Sequence, residues 1–158
     1  SVKMSVQIPT EVAEVRLIYR NKVYAADRPQ IRSSHHAYQI FWDNWEEDTI
    51  GLFETAYLLL LDRANRVMGW FKVSQGGMAG TVVDAKVIFA TALKARASSI
   101  ILAHNHPSGQ LRPSKADSEL TQKLSTAGKA LDLPLLDHLI LAPEGGFYSF
   151  ADEGLINH

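Results

Sequence analysis

From Thr55 to Leu61 the chain is almost wholly apolar. A run of that length suits a strand covered on both faces. Asp62-Arg63-Ala64-Asn65 supplies a turn, and Val67 to Val73 reads as the hairpin partner. Ser99 to Ala103 forms a further apolar strand with a polar loop behind it, and Pro134 leads into another over Leu135 to Leu141. Gly145-Gly146 turns the chain into a last short strand, Phe147 to Phe150. Three segments carry helical spacing instead. Ser33 or Ser34 caps a helix bearing Ala37, Tyr38, Ile40, Phe41 and Trp45. Asp84 caps a helix to about Arg96, apolar on most sides and so expected to be sandwiched. Lys115 to Leu131 is a long amphipathic helix, apolar at Ala116, Leu120, Leu124, Ala127 and Leu131. A short strand is expected over Val15 to Tyr19, a turn at Asp27 to Gln30, and a flexible loop at Gly76, Gly77 and Gly80. Strands interleaved with helices predict an α/β fold, a mixed sheet with helices on its faces.

The chain has 158 residues, which suits one domain over residues 1–158, with residues 1–32 an extended lead-in. It is too short for a closed (β/α)₈ barrel, which needs roughly 200 residues or more. There are no cysteines. Disulfides, thiolate nucleophiles, iron–sulfur clusters and Cys-ligated zinc are thereby excluded, so any bound metal must be held by nitrogen and oxygen. The net charge of −1 argues against a broadly basic nucleic-acid surface. The charge is uneven: residues 1–32 sum to +3, residues 33–62 to −6 and residues 63–158 to +2. The simplest reading of the charged stretches is solvated surface. No apolar run approaches the roughly 18 residues of a membrane span, and no secretory signal is visible. No membrane partner and a cytoplasmic location are the expectations.

Chemistry concentrates in His104-Asn105-His106-Pro107-Ser108-Gly109, followed by Pro113-Ser114-Lys115-Ala116-Asp117. His104 and His106 stand two apart at the end of a buried strand, so period two puts both imidazoles on one side of the chain. Open α/β sheets place their sites at that carboxyl edge. Asp117 falls in the first turn of the next helix, where its carboxylate can point back at the histidines. Two imidazoles and one carboxylate make a three-ligand set for zinc, with a fourth position open. By composition, His-x-His with Ser and Asp at these offsets arises about once in a thousand such chains. Simpler roles exist for each residue alone. Ser114 and Asp117 resemble a capping box, Asp117 suits a helix start, and either histidine suits a hydrogen-bonded strand end. His-Glu-x-x-His is absent, and the Cys ligands and His-x-Glu of zinc deaminases are missing as well.

His104-x-His106-x₇-Ser114-x₂-Asp117 resembles the JAMM motif of the JAB/MPN metalloprotease superfamily. The surrounding HNHPSG, PSKAD, LLDHLIL and YSF resemble the RadC family more narrowly, over roughly residues 33–155. The resemblance implies a three-layer α/β/α sandwich with a mixed sheet, cytidine-deaminase-like. It implies a glutamate that works on the attacking water, here Glu54 in Leu52-Phe53-Glu54-Thr55. Spacing alone does not separate Glu54 from Glu46 and Glu47, and a solvated strand end is its simplest reading. The implied chemistry has Zn²⁺ on His104, His106 and Asp117, Glu54 as proton shuttle and Ser114 as hydrogen-bond donor to the oxyanion. The substrate would be a peptide or isopeptide.

Other residues carry weaker signals. Ser108 reads as a turn serine. Asp137 and His138 point to opposite faces of their strand, as a buried hydrogen-bonded pair or with one of them supporting the ligands. His35 and His36 read as surface, Trp42, Trp45 and Trp70 as core or interface, and Asn105 as facing away from the ligands. RadC proteins usually carry a helix-hairpin-helix segment before the metal domain, and residues 1–32 show no such pair. Three functions therefore compete: a zinc amide or isopeptide hydrolase, a DNA-repair-associated protein with a structural or regulatory metal, and an MPN-like interaction module without turnover. The intact ligands with Glu54 favour the first. Nucleic acid is a partner by family analogy alone, and a homodimer through an exposed strand edge is a further expectation.

Overall fold

Seven successive buried positions, Thr55–Leu61, form β1 near the middle of a five-stranded sheet. The computed structural model describes residues 9–14, 16, 27–76 and 82–156. The strand expected over 15–19 lies outside the described residues apart from Arg16, as do Gly77 and Gly80 of the glycine loop. Residues 9–14 are exposed and without regular structure. The elements run α1 (Ser34–Asn44), β1, β2 (Val67–Gln75), α2 (Ala85–Lys94), β3 (Ser99–Asn105), α3 (Lys115–Ala130), β4 (Leu135–Leu141) and β5 (Phe147–Ser149).

The strand order is β2-β1-β3-β4-β5. β3 and β4 are parallel, and the other neighbours are antiparallel. The sheet is therefore mixed, as expected. β1, β3 and β4 are covered on both faces, which explains the apolar runs of β1 and β3 and the largely apolar β4, where Asp137-His138 is the polar exception. On one face Ala37, Phe41 and Trp45 of the α1 region pack with Tyr57, Leu59, Leu61, Ile101, Ala103, Leu139 and Leu141. On the other, Ile88, Phe89 and Ala92 of α2 and Leu124 of α3 pack with Leu58, Leu60, Ile100, Leu102 and Ile140. Alternate residues of each strand thus serve alternate layers, and the α/β/α sandwich follows from period two.

The helix caps fall where the sequence places them. Ser33 accepts from His36 N, Asp84 from Lys86 N and Ser114 from Asp117 N. Two expectations need correction. α2 is not sandwiched: Val87 and Leu93 are exposed, because only one side of the helix meets the sheet. On α3, Ala116 and Leu131 at the two ends are exposed, and Thr121 and Gly128 are buried beside Leu124 instead.

Gly128 is required by contact. A Cβ there would lie 2.5 Å from the carbonyl oxygen of Leu133. Gly128→Ala is therefore expected to destabilise the fold by about 1–3 kcal/mol, overriding the gain in helix propensity. A lower urea midpoint would show this. An unchanged midpoint would mean that the α3–β4 connection yields freely.

Among the described residues no helix is long and apolar enough to cross a membrane.

Candidate metal centre

β3 runs two residues further than the apolar pattern suggested, through His104 and Asn105, because both continue to pair with neighbouring strands. His104 stands opposite Ala56 of β1 and Ile140 of β4, and Asn105 beside Leu141. His106 follows at once, its N–H donating to Leu141 O at 2.8 Å. The chain then turns through Pro107-Ser108-Gly109. Gly109 takes φ +90°, a left-handed conformation suited to glycine, and its N–H donates to His106 O.

Strand alternation brings the two imidazoles together. His104 Nε2 and His106 Nε2 are 3.0 Å apart. Asp117 straddles them, with Oδ1 3.2 Å from His104 Nε2 and Oδ2 3.2 Å from His106 Nε2. The capping box sets that orientation: Ser114 Oγ accepts from Asp117 N at 3.0 Å, and Ser114 N donates to Asp117 Oδ2 at 2.8 Å. The capping role and the proximity to the histidines are thus one geometry.

Glu54 completes the cluster, with Oε1 3.8 Å from His106 Nε2. Glu54, His104 and His106 offer ligand atoms within 4.8 Å of one another. Asp117 nevertheless lies closer to both Nε2 atoms than Glu54 lies to His106. The geometry also separates Glu54 from the glutamates that spacing could not exclude. Glu46 is exposed and pairs with Lys72 at 3.5 Å, and Glu47 is exposed as well.

Asn105 holds Glu54 in place from behind. Its side chain is fully buried on the α1 face, turned away from the histidines as period two requires. Nδ2 donates to Ile50 O at 2.6 Å and to Phe53 O at 2.8 Å, and Oδ1 accepts from Thr55 N at 2.8 Å. The carbonyl of Glu54 accepts from Gly76 N at 2.8 Å. Strand alternation predicts that Asn105 faces away from the histidines, while its partners Ile50, Phe53 and Thr55 follow only from the fold.

His138 stands directly behind His104. The side chain is fully buried, with Nε2 2.8 Å from His104 Nδ1 and Nδ1 2.6 Å from Thr121 Oγ1. Phe150 stacks on its ring at 4.8 Å. Asp137 points the other way and accepts from Ser149 Oγ, His138 N and Ala151 N. Of the two readings for this pair, His138 supports a candidate ligand and Asp137 ties β4 to β5. Thr121 carried no sequence signal of its own except its place one helical turn after Asp117, on the same face.

Charge follows this packing. Burial works to raise the Asp117 pKa, but hydrogen bonds to His104 and His106 and the Ser114 N–H outweigh it and hold the carboxyl well below the usual range. Hydrogen bonding to Asp117 raises the His106 pKa against the effect of burial, helped by Gln110 O. Burial first, and then the neighbouring His104, holds His138 well below an ordinary imidazole, so it is neutral.

The donor set fits a divalent metal. His106 Nδ1 lies 2.6 Å from Gln110 O, an atom that can only accept, so Nδ1 carries the proton and Nε2 the lone pair of the neutral ring. Nitrogen and carboxylate donors converge on one point without sulfur, a set that zinc accepts and that other N/O-preferring divalent ions also accept.

Comparison with known proteins returns the same family. A RadC-like JAB domain matches residues 31–155. A UPF0758 protein of Flavobacterium johnsoniae is 47% identical over 102 residues, 65% of this chain and 44% of the relative. One from Porphyromonas gingivalis is 44% identical over 103 residues, 65% of this chain and 45% of the relative. One from Geobacter sulfurreducens is 30% identical over 156 residues, 99% of this chain and 63% of the relative. The chain spans about half the length of the curated relatives it matches.

Proposed function

The chain belongs to the RadC-like JAB domain family, and from that membership we propose that it is a metal-dependent hydrolase of an amide or isopeptide bond, with zinc as the ion. The observation that carries the reading is the meeting of His104 Nε2, His106 Nε2 and the Asp117 carboxylate, with Glu54 alongside. His104, His106 and Asp117 would hold the ion. A divalent ion there supplies Lewis acidity, polarising the scissile carbonyl and making water nucleophilic at neutral pH.

The chain's own residues do the rest. Glu54 accepts the proton of the attacking water, for which a general base must stand within hydrogen-bond reach. It then returns that proton to the leaving amine. Ser114 uses its hydroxyl oxygen to accept from Asp117 N, which leaves its O–H to donate to the oxyanion as the carbonyl becomes tetrahedral. Asp117 stays ionised and oriented by the Ser114 N–H, so the histidines keep a fixed counter-charge.

The test is hydrolysis of a panel of peptide and isopeptide substrates by protein loaded with Zn²⁺. Cleavage should vanish with a chelator and return with added zinc. Tight zinc binding without cleavage of any substrate would refute the hydrolase reading, and absence of metal binding would refute the site itself.

A further inference from the structure

The contacts behind His104 leave little freedom for protons. A threonine hydroxyl has one proton to donate. Thr121 Oγ1 lies 2.9 Å from the carbonyl oxygen of Asp117, which can only accept, so the hydroxyl donates there. Its remaining contact, 2.6 Å to His138 Nδ1, must then be filled by a proton on that nitrogen. With Nδ1 protonated, His138 Nε2 presents a lone pair, and at 2.8 Å it accepts the proton of His104 Nδ1. His104 Nε2 is left as the atom facing His106 and Asp117. The opposite assignment would set the Thr121 oxygen against the Asp117 carbonyl with no proton between them.

We infer that His138 is a positioning residue for the metal centre: with Thr121 it forms a buried relay that holds His104 with Nδ1 protonated and Nε2 turned to the ligand position. The inference rests on the proposed metal site, and it adds the device that prepares one ligand for it. Three further features fit a fixed device. His138 is fully buried, its ring is stacked on Phe150, and Thr121 is anchored to the same helix turn that presents Asp117. Ligand histidines generally need such a partner on the second ring nitrogen, and losing it costs metal affinity. His106 has its own in the Gln110 carbonyl. Among the described residues no backbone carbonyl takes that role for His104, and the relay supplies the acceptor.

Two measurements test this. In the metal-free protein, ¹⁵N-resolved spectra of the imidazoles should show His138 protonated at Nδ1 and bare at Nε2. The reverse tautomer would overturn the inference, whether or not the protein binds metal. In competition with a chromophoric chelator, His138→Leu should weaken Zn²⁺ binding by about 10–100-fold. His138→Gln should stay within about threefold of wild type, since its amide both accepts and donates. Wild-type affinity in a folded His138→Leu protein would overturn the inference, as would equal losses in both variants. If the leucine variant does not fold, the tautomer measurement decides alone. Failure of the wild type to bind zinc would instead count against the metal site.

Discussion

Replacing Glu54 by glutamine is expected to lower kcat by about 10²–10⁴-fold, the usual contribution of a positioned general base, while zinc affinity stays near wild type. Glutamine keeps the size and polarity of the side chain but cannot take a proton. The carboxylate stands 3.8 Å from His106 Nε2, while Asp117 lies 3.2 Å from each Nε2 atom. Asp117 is therefore better placed as a ligand and Glu54 as its neighbour. The metal measurement in the same variant is the sharper half of the experiment. A large loss of zinc affinity would make Glu54 a ligand, as its closeness to both histidines allows. Unchanged turnover would remove it from the chemistry altogether.

Asp117→Ala should show the complementary pattern. Zinc affinity should fall by more than about 100-fold, beyond the 10–100-fold typical of an outer partner, and hydrolysis should fall with it. This substitution also removes one half of the capping box, so a stability loss of about 1 kcal/mol is expected alongside. Asp117→Asn separates the two effects. Its amide oxygen can still accept from Ser114 N, which keeps the helix start, but the charge facing the two histidines is gone. Titration of both variants with zinc, beside their urea melts, reads the roles independently. Full zinc occupancy in Asp117→Ala would exclude it as a ligand.

Much of this was legible along the chain. The runs Thr55–Leu61 and Leu135–Leu141 read as strands because both of their faces are covered, which keeps them largely apolar; the exceptions inside the second, Asp137 and His138, are buried with hydrogen-bond partners. The candidate ligands were legible because strand alternation and a helix start place three of them from local rules alone. What failed to show depends on which strand lies beside which. Nothing local says that β4 runs parallel to β3 with Ala103 beside Leu139, and so nothing brings His138 against His104. Nor could spacing choose Glu54, because its neighbours along the chain are also acidic and only the fold turns it toward His106. The composition of α2 misled for a related reason, since apolar content does not say how many sides meet a partner.

β3 carries one further consequence. His104, Asn105 and His106 are consecutive, so one candidate ligand, the grip on the Glu54 segment and a second candidate ligand alternate from face to face along a single stretch of backbone. Adding or deleting one residue within Ser99–Ala103 would exchange the faces, burying imidazoles where the amide belongs and aiming the amide at Asp117. Lineages of this domain should therefore vary here by substitution and never by a change of length, whereas the loops between the outer elements are free to grow.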